Sequence, residues 1–216
     1  MVEMLPVVAV LGGADCEGIR SGWLAQPANA LSSLTYVAVG ASLLWQSRAS
    51  GVERGTLVAG GLPMTGVARR ALIAGGLAMT AVGVGSFAYH GPQPDWAHWA
   101  HNVSIPVLAA VIGANHLWLL ARAGVRSAAA VLMAVWKPAA PWIVLAFVGY
   151  WAGRTGSSLC NPSTVWQPHA AWHALGALGL GLALAGLARA EPVLAPEPAA
   201  EVSAVGETPP PGDLSH

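Results

Sequence analysis

The 216-residue chain is 55% hydrophobic and only 9% charged, with 10 basic side chains balanced by 10 acidic ones. Soluble domains carry about 25% charged residues, so a water-exposed globule is excluded and an integral membrane protein is expected. Zero net charge and the lack of a Lys/Arg run leave no electrostatic footprint for nucleic acid, which is excluded as a partner.

Residues 1–27 read as a retained non-cytoplasmic segment. The apolar run Leu5–Leu11 has no preceding Lys or Arg, and Asp15 occupies the place where a processed cysteine would follow a small residue. A bilayer span needs roughly 20 largely apolar residues. Five stretches meet that need, near Ala28–Gln46, Arg70–Tyr89, Trp96–Leu120, Ser127–Trp151 and His169–Ala188. The expected fold is therefore an all-α polytopic helical bundle over residues 28–189. Lys137, Pro138 and Pro141 should kink the fourth span or split it into two half-helices. Val52–Val67, with Glu53, Arg54 and several glycines, reads as a loop, and the Pro/Ala/Glu-rich stretch 190–216 as a disordered tail.

Arginines orient the bundle, because cytoplasmic loops hold the excess of Lys and Arg. Arg48, Arg54, Arg69, Arg70, Arg122, Arg126 and Arg189 fall on one side of a five-span bundle, with Arg20 and Arg154 dissenting. The N-terminus is then outside and the C-terminus cytoplasmic. Only Lys137 among the cations is a lysine, which with the Ala and Gly excess suggests GC-rich coding and a bacterial plasma membrane. Cys16 and Cys160 both fall outside, where thiols can oxidise. A disulfide and two unpaired small residues both remain open, since two cysteines alone fix no pairing.

Ionisable groups at membrane depth are costly and mark candidate sites. Ser86 and His90 end the second span four residues apart, on one helix face. A serine bonded to its own helix and an interfacial histidine would look the same. His169 and His173 open the last span with the spacing that lets two imidazoles hold one metal ion. Both sets lie at the outer face in this topology. Three His ligands with an open fourth position describe a catalytic zinc site. Asp95, His98 and Asn102 share one face at the start of the third span. Asp95 is either a proton carrier or the helix N-cap, whereas His98 and His101 read as wet interfacial residues. Asn115 and His116 lie too deep to join and should bond to neighbouring helices. Trp23, Trp45, Trp96, Trp99, Trp151 and Trp166 read as interfacial anchors.

The S-x-x-x-H of Ser86–His90, the polar cluster of Asp95–Asn102 and the H-x-x-x-H of His169–His173 together resemble the alkaline ceramidase and adiponectin-receptor superfamily of membrane hydrolases. Cys16-Glu17, the stretch Gln26–Leu34 and the stretch Cys160–His173 are similar to segments of the ceramidases. The resemblance implies zinc on His90, His169 and His173, an oxyanion role for Ser86, an Asp handling protons at the start of the third span, and a Cys16–Cys160 disulfide. The family Asp falls on Asn102, which cannot act as a base, so Asp95 is the substitute candidate. The resemblance also implies seven spans, yet residues 91–168 accommodate only two spans between His90 and His169. A calcium ion is implied near the N-terminus, with Glu17 and Asn29 matching, Gln26 replacing an acid and Asp15 compensating.

The expectation is a membrane-embedded zinc hydrolase cleaving an amide or ester of a lipid, ceramide or another N-acyl lipid. The alternative is a non-catalytic receptor, sensor or binding protein of the same superfold with a structural zinc. A transporter or channel would need charges along a path, and within the spans only Lys137 offers one.

Overall fold

The computed structural model describes residues 11–52 and 65–193. The apolar run from Leu5 to Val10, the loop bearing Glu53 and Arg54, the Arg126 side chain and the tail from residue 194 lie outside the described residues. Five helices follow one another, α1 (Pro27–Val52), α2 (Gly66–His90), α3 (Ala97–Trp136), α4 (Ala140–Ala152) and α5 (Pro168–Val193). Among the described residues there is no sheet, only an isolated bridge between Asp15 and Arg154.

Local chemistry accounts for the helix ends. Pro27 and Pro168 open α1 and α5 at a position where the missing N–H has no helical acceptor to lose. The first turn of α1 is capped from a distance: the Glu17 carboxylate accepts the Ala28 and Asn29 N–H groups, both at 2.8 Å. Thr65 caps α2 through a 3.1 Å bond from the Ala68 N–H. At the start of α3 the cap position is Trp96, and no side-chain cap bond forms, so Asp95 does not serve as the N-cap.

Four helices are long and apolar enough to cross a membrane, and the number is five if the bent pair Ala128–Trp136 and Ala140–Ala152 counts as one span. The pair meets at 57°, where Lys137 and Pro138 interrupt the helix as expected. The α3 stretch is too long for one crossing. His116 nonetheless stacks on Trp136 with ring centroids 5.1 Å apart. At about 1.5 Å rise per residue a straight helix would separate them by roughly 30 Å, so the Ala97–Trp136 stretch does not run straight. Asn115 and His116 bond to carbonyls of their own helix, at 2.7 and 3.0 Å, instead of reaching neighbouring helices as expected.

Helix α5 is the hub and packs against α1, α2, α3 and α4. Leu43, Leu72, Met79, Leu119, Leu184 and Leu187 fill the centre. The outward faces carry Leu77, Val84, Val107, Leu117, Val144, Phe147 and Val148 in exposed positions, a surface suited to lipid. All six tryptophans read as anchors are exposed.

Small residues set the helix spacing. A Cβ added at Gly83 would lie 2.6 Å from Val37 Cγ2 and 3.0 Å from the Ser33 carbonyl, so glycine allows α1 and α2 to touch there. That contact brings Ser33 of α1 beside Ser86 of α2. Gly83→Val should therefore separate the two helices and lower stability by about 1–3 kcal/mol. A drop in the thermal transition of the purified protein, followed by tryptophan fluorescence, checks this.

Candidate metal centre

Three segments that precede, join or follow the helices gather at one end of the bundle. The N-terminal segment bonds to the α2–α3 corner through Ala25 N to Gly91 O (3.0 Å) and Gln26 N to His90 O (2.8 Å). Gln93 adopts φ 52°, and its side chain donates to the Leu11 carbonyl at 2.8 Å. The loop after α4 joins through Cys16 N to Gly153 O (2.7 Å) and Thr155 N to Ala14 O (3.0 Å). Cys16 and Cys160 form a disulfide across a sequence separation of 144. The pairing left open by sequence position and implied by the resemblance is thus present.

Beneath this cover lie His90, His169 and His173, all buried, each offering a ligand atom within 4.8 Å of the others. Among the described residues they are the one group of His, Cys, Asp or Glu side chains placed to hold a metal ion. The rings fit such an ion on donor accounting. His90 Nε2 and His169 Nδ1 are buried with no hydrogen-bond partner, and buried polar atoms rarely remain so. Three imidazoles suit a borderline metal such as zinc.

The surroundings hold each ring. His90 Nδ1 lies 2.7 Å from Gln26 Oε1. His173 Nδ1 lies 3.1 Å from the Asn29 carbonyl, 3.0 Å from Ser32 Oγ and 3.2 Å from Ser33 Oγ. His169 Nδ1 is 3.4 Å from Asp15 Oδ1, and the same carboxylate's Oδ2 is 3.9 Å from His90 Nδ1. Arg154 Nη1 donates to Asp15 Oδ1 at 2.9 Å. Burial pushes the Asp15 carboxyl up to about 6, and the Arg154 guanidinium opposes that rise by charge and hydrogen bond.

Ser86 is buried, with Oγ 3.4 Å from His173 Nε2 and 2.9 Å from Ser33 Oγ. Its hydroxyl thus reaches the cluster. The third-helix candidates do not. Asp95 is exposed, and Asn102 is exposed with its amide on His98 Nε2 (2.9 Å) and His101 Nδ1 (3.1 Å). The residue of α3 that approaches is His101, read from sequence as interfacial. Its ring stacks on Tyr89 at 4.4 Å, lies 6.0 Å from the His90 ring, and lines a cavity with Ser86 and His173. Asn29 and Ser33, four residues apart on one face of α1, with Gln26 just before it, could have been singled out by a search for helical spacing.

The four residues given to calcium have these surroundings. Glu17 caps α1, Gln26 Oε1 sits on His90, Asp15 holds Arg154, and the Asn29 side chain is buried without a hydrogen-bond partner.

That cavity, of about 160 Å3, runs from Ser86, His101 and His173 inward past Tyr36, Val82, Ile105, Leu108 and Ile112. It is polar where it meets the histidines and apolar beyond. Compared with known proteins, the chain matches no family model, no curated protein and no solved structure.

The purified chain should carry about one zinc, and the double substitution His169→Ala, His173→Ala should remove it, since two of three protein ligands are lost. Elemental analysis of both proteins measures this, and full retention of metal by the double variant would dismiss the centre.

Proposed function

We propose that the protein is a membrane-embedded zinc hydrolase acting on an amide or ester of a lipid. The observation that carries this reading is the cavity: a largely apolar space lined at its polar part by Ser86 and by His173, one of the three clustered histidines that could hold a metal ion. An acyl chain in the cavity would leave its carbonyl at that polar end. Resemblance to the ceramidase superfamily, on Ser86, His90, His169 and His173, points to ceramide or another N-acyl lipid. The site end is assigned to the non-cytoplasmic face of a five-span bundle, supported by Arg48, Arg69, Arg70, Arg122 and Arg189 near the opposite end and by the disulfide here.

Zinc, when bound, polarises a carbonyl and lowers the pKa of its water to roughly 7. The chain's own residues supply the rest. Ser86 Oγ, with Ser33 behind it, donates a hydrogen bond to the oxygen on which negative charge develops. His101 takes the proton-handling part first assigned to Asp95. Its Nδ1–H donates to Asn102 Oδ1, and Asn102 Nδ2 donates to His98 Nε2, which leaves a lone pair on His101 Nε2 to accept a proton. Asn102 thereby works as a tautomer-setting residue, a task for which an amide is suited and a base unnecessary. Apolar walls at Val82, Ile105 and Leu108 exclude water from the chain-binding part.

The exposed positions of Asp95 and Asn102 also favour a second reading, a non-catalytic sensor with a structural metal. Turnover separates the two. Purified protein should release fatty acid from long-chain ceramide or a related N-acyl lipid, lose that activity on chelation and regain it with zinc. Ser86→Ala should lower kcat about 10²–10³-fold, and His101→Gln about 10²–10⁴-fold. Mass spectrometry of the released acid reads each rate. Absence of turnover across N-acyl lipids and esters, with zinc retained, would leave the sensor.

A further inference from the structure

The three imidazoles share a feature that neither the ligand set nor the cavity requires. Each has Nδ1 within 3.4 Å of an oxygen of the segment that precedes and opens α1, in a hydrogen bond for His90 and His173 and as an ion-pair neighbour for His169. Gln26 Oε1 meets His90 at 2.7 Å, the Asn29 carbonyl meets His173 at 3.1 Å, and Asp15 Oδ1 meets His169 at 3.4 Å. Each holder is itself held. Gln26 Nε2 donates to the Gly12 and Glu17 carbonyls at 3.0 and 2.8 Å, while its backbone N–H donates to the His90 carbonyl at 2.8 Å. Gly12, at φ +76°, makes room for that carboxamide, because a Cβ there would lie 2.8 Å from Gln26 Cδ. Asp15 is fixed by Arg154 at 2.9 Å and stands next to the disulfide-bonded Cys16.

Histidines that ligate a metal through one nitrogen almost always donate the other N–H to a carboxylate, amide or backbone oxygen, which sets tautomer and ring direction. His90 has its Nε2 free and buried on the far side of a ring whose Nδ1 is already engaged. The geometry points to the N-terminal segment as the outer shell of the metal centre. Gln26 and the Asn29 carbonyl are positioning groups that fix Nδ1–H of His90 and His173 and thereby present Nε2 of both to the ion, while Asp15 lies beside the His169 ring. This inference rests on the metal reading of the site. It assigns Gln26 to the histidines in place of calcium.

The test is zinc affinity of the full-length purified chain, measured by competition with a chromophoric chelator, beside the thermal transition of the metal-free protein. Gln26→Leu should still bind one zinc at saturation, with affinity lowered about 10–100-fold beyond any share that a fall in the metal-free transition from its two missing side-chain bonds accounts for. Unchanged zinc affinity in Gln26→Leu, with His173→Ala losing the ion, would overturn the outer-shell assignment and leave the metal centre standing. A fall in the metal-free transition matching the affinity loss would make Gln26 structural and overturn it as well. A stoichiometric calcium ion, bound by the wild type and lost in this variant while zinc is kept, would return Gln26 to calcium. A wild-type chain that binds no zinc would remove the metal reading itself, and the outer shell with it.

Discussion

The nitrogen accounting of three buried imidazoles governs this structure. A ring placed inside an apolar bundle carries two polar nitrogens, and each must find a partner or impose a desolvation cost of about 1–3 kcal/mol. Six such nitrogens come together where His90, His169 and His173 meet. Three of them face oxygens of one segment. Of the remainder, His173 Nε2 faces Ser86 and His90 Nε2 is buried without a hydrogen-bond partner, which a shared cation would satisfy. The close approaches of the bundle follow from the same requirement. Gly83 lets Ser33 reach Ser86, and a Cβ at Gly153 would collide with the backbone of His169, so the loop after α4 lies directly on the cluster.

The cover over the cluster explains why a chain with so few helices can build it. Helix α5 contributes two of the clustered histidines and α2 one. Their rings are oriented by the N-terminal segment and the first turns of α1, the former tied by a disulfide to the loop before α5. Closing so long a loop removes conformational freedom from the unfolded chain, on the order of 4–5 kcal/mol in the entropic account. In a bundle where helix association lacks a hydrophobic driving force, such a tether contributes where side-chain packing is weakest.

What was legible in the sequence follows the strength of the physical signal. Apolar runs located the four helices long enough to cross a membrane, because backbone exclusion from lipid demands length and leaves a long apolar stretch. The ligand pair His169 and His173 was legible because a four-residue step is a local property of any helix. Helix rotation was not. His98 and Asn102 do share a face of α3, with Asp95 just before the helix, but all three are exposed, and His101, about 100° round the helix from Asn102, approaches the site. In water an apolar stripe would have given the rotation away, whereas in a bilayer both faces of a helix are apolar. The outer shell was hidden for another reason. Gln26 meets His90 and Asp15 meets His169 across 64 and 154 positions of sequence, in a segment without periodicity.

The same contrast resolves a discord in the charge pattern. Arg154 sits at the end of the bundle where a cation is least expected, away from Arg48, Arg69, Arg70, Arg122 and Arg189. It holds Asp15, whose side chain is only 6% exposed, with a 2.9 Å bond. A carboxylate kept that far from water needs a positive neighbour, and a guanidinium both neutralises it and leaves its second oxygen free. The topological rule counts cations as if they served only the membrane potential and the insertion machinery. Arg154 departs from that rule because its charge is already matched inside the protein, as part of the support under a histidine.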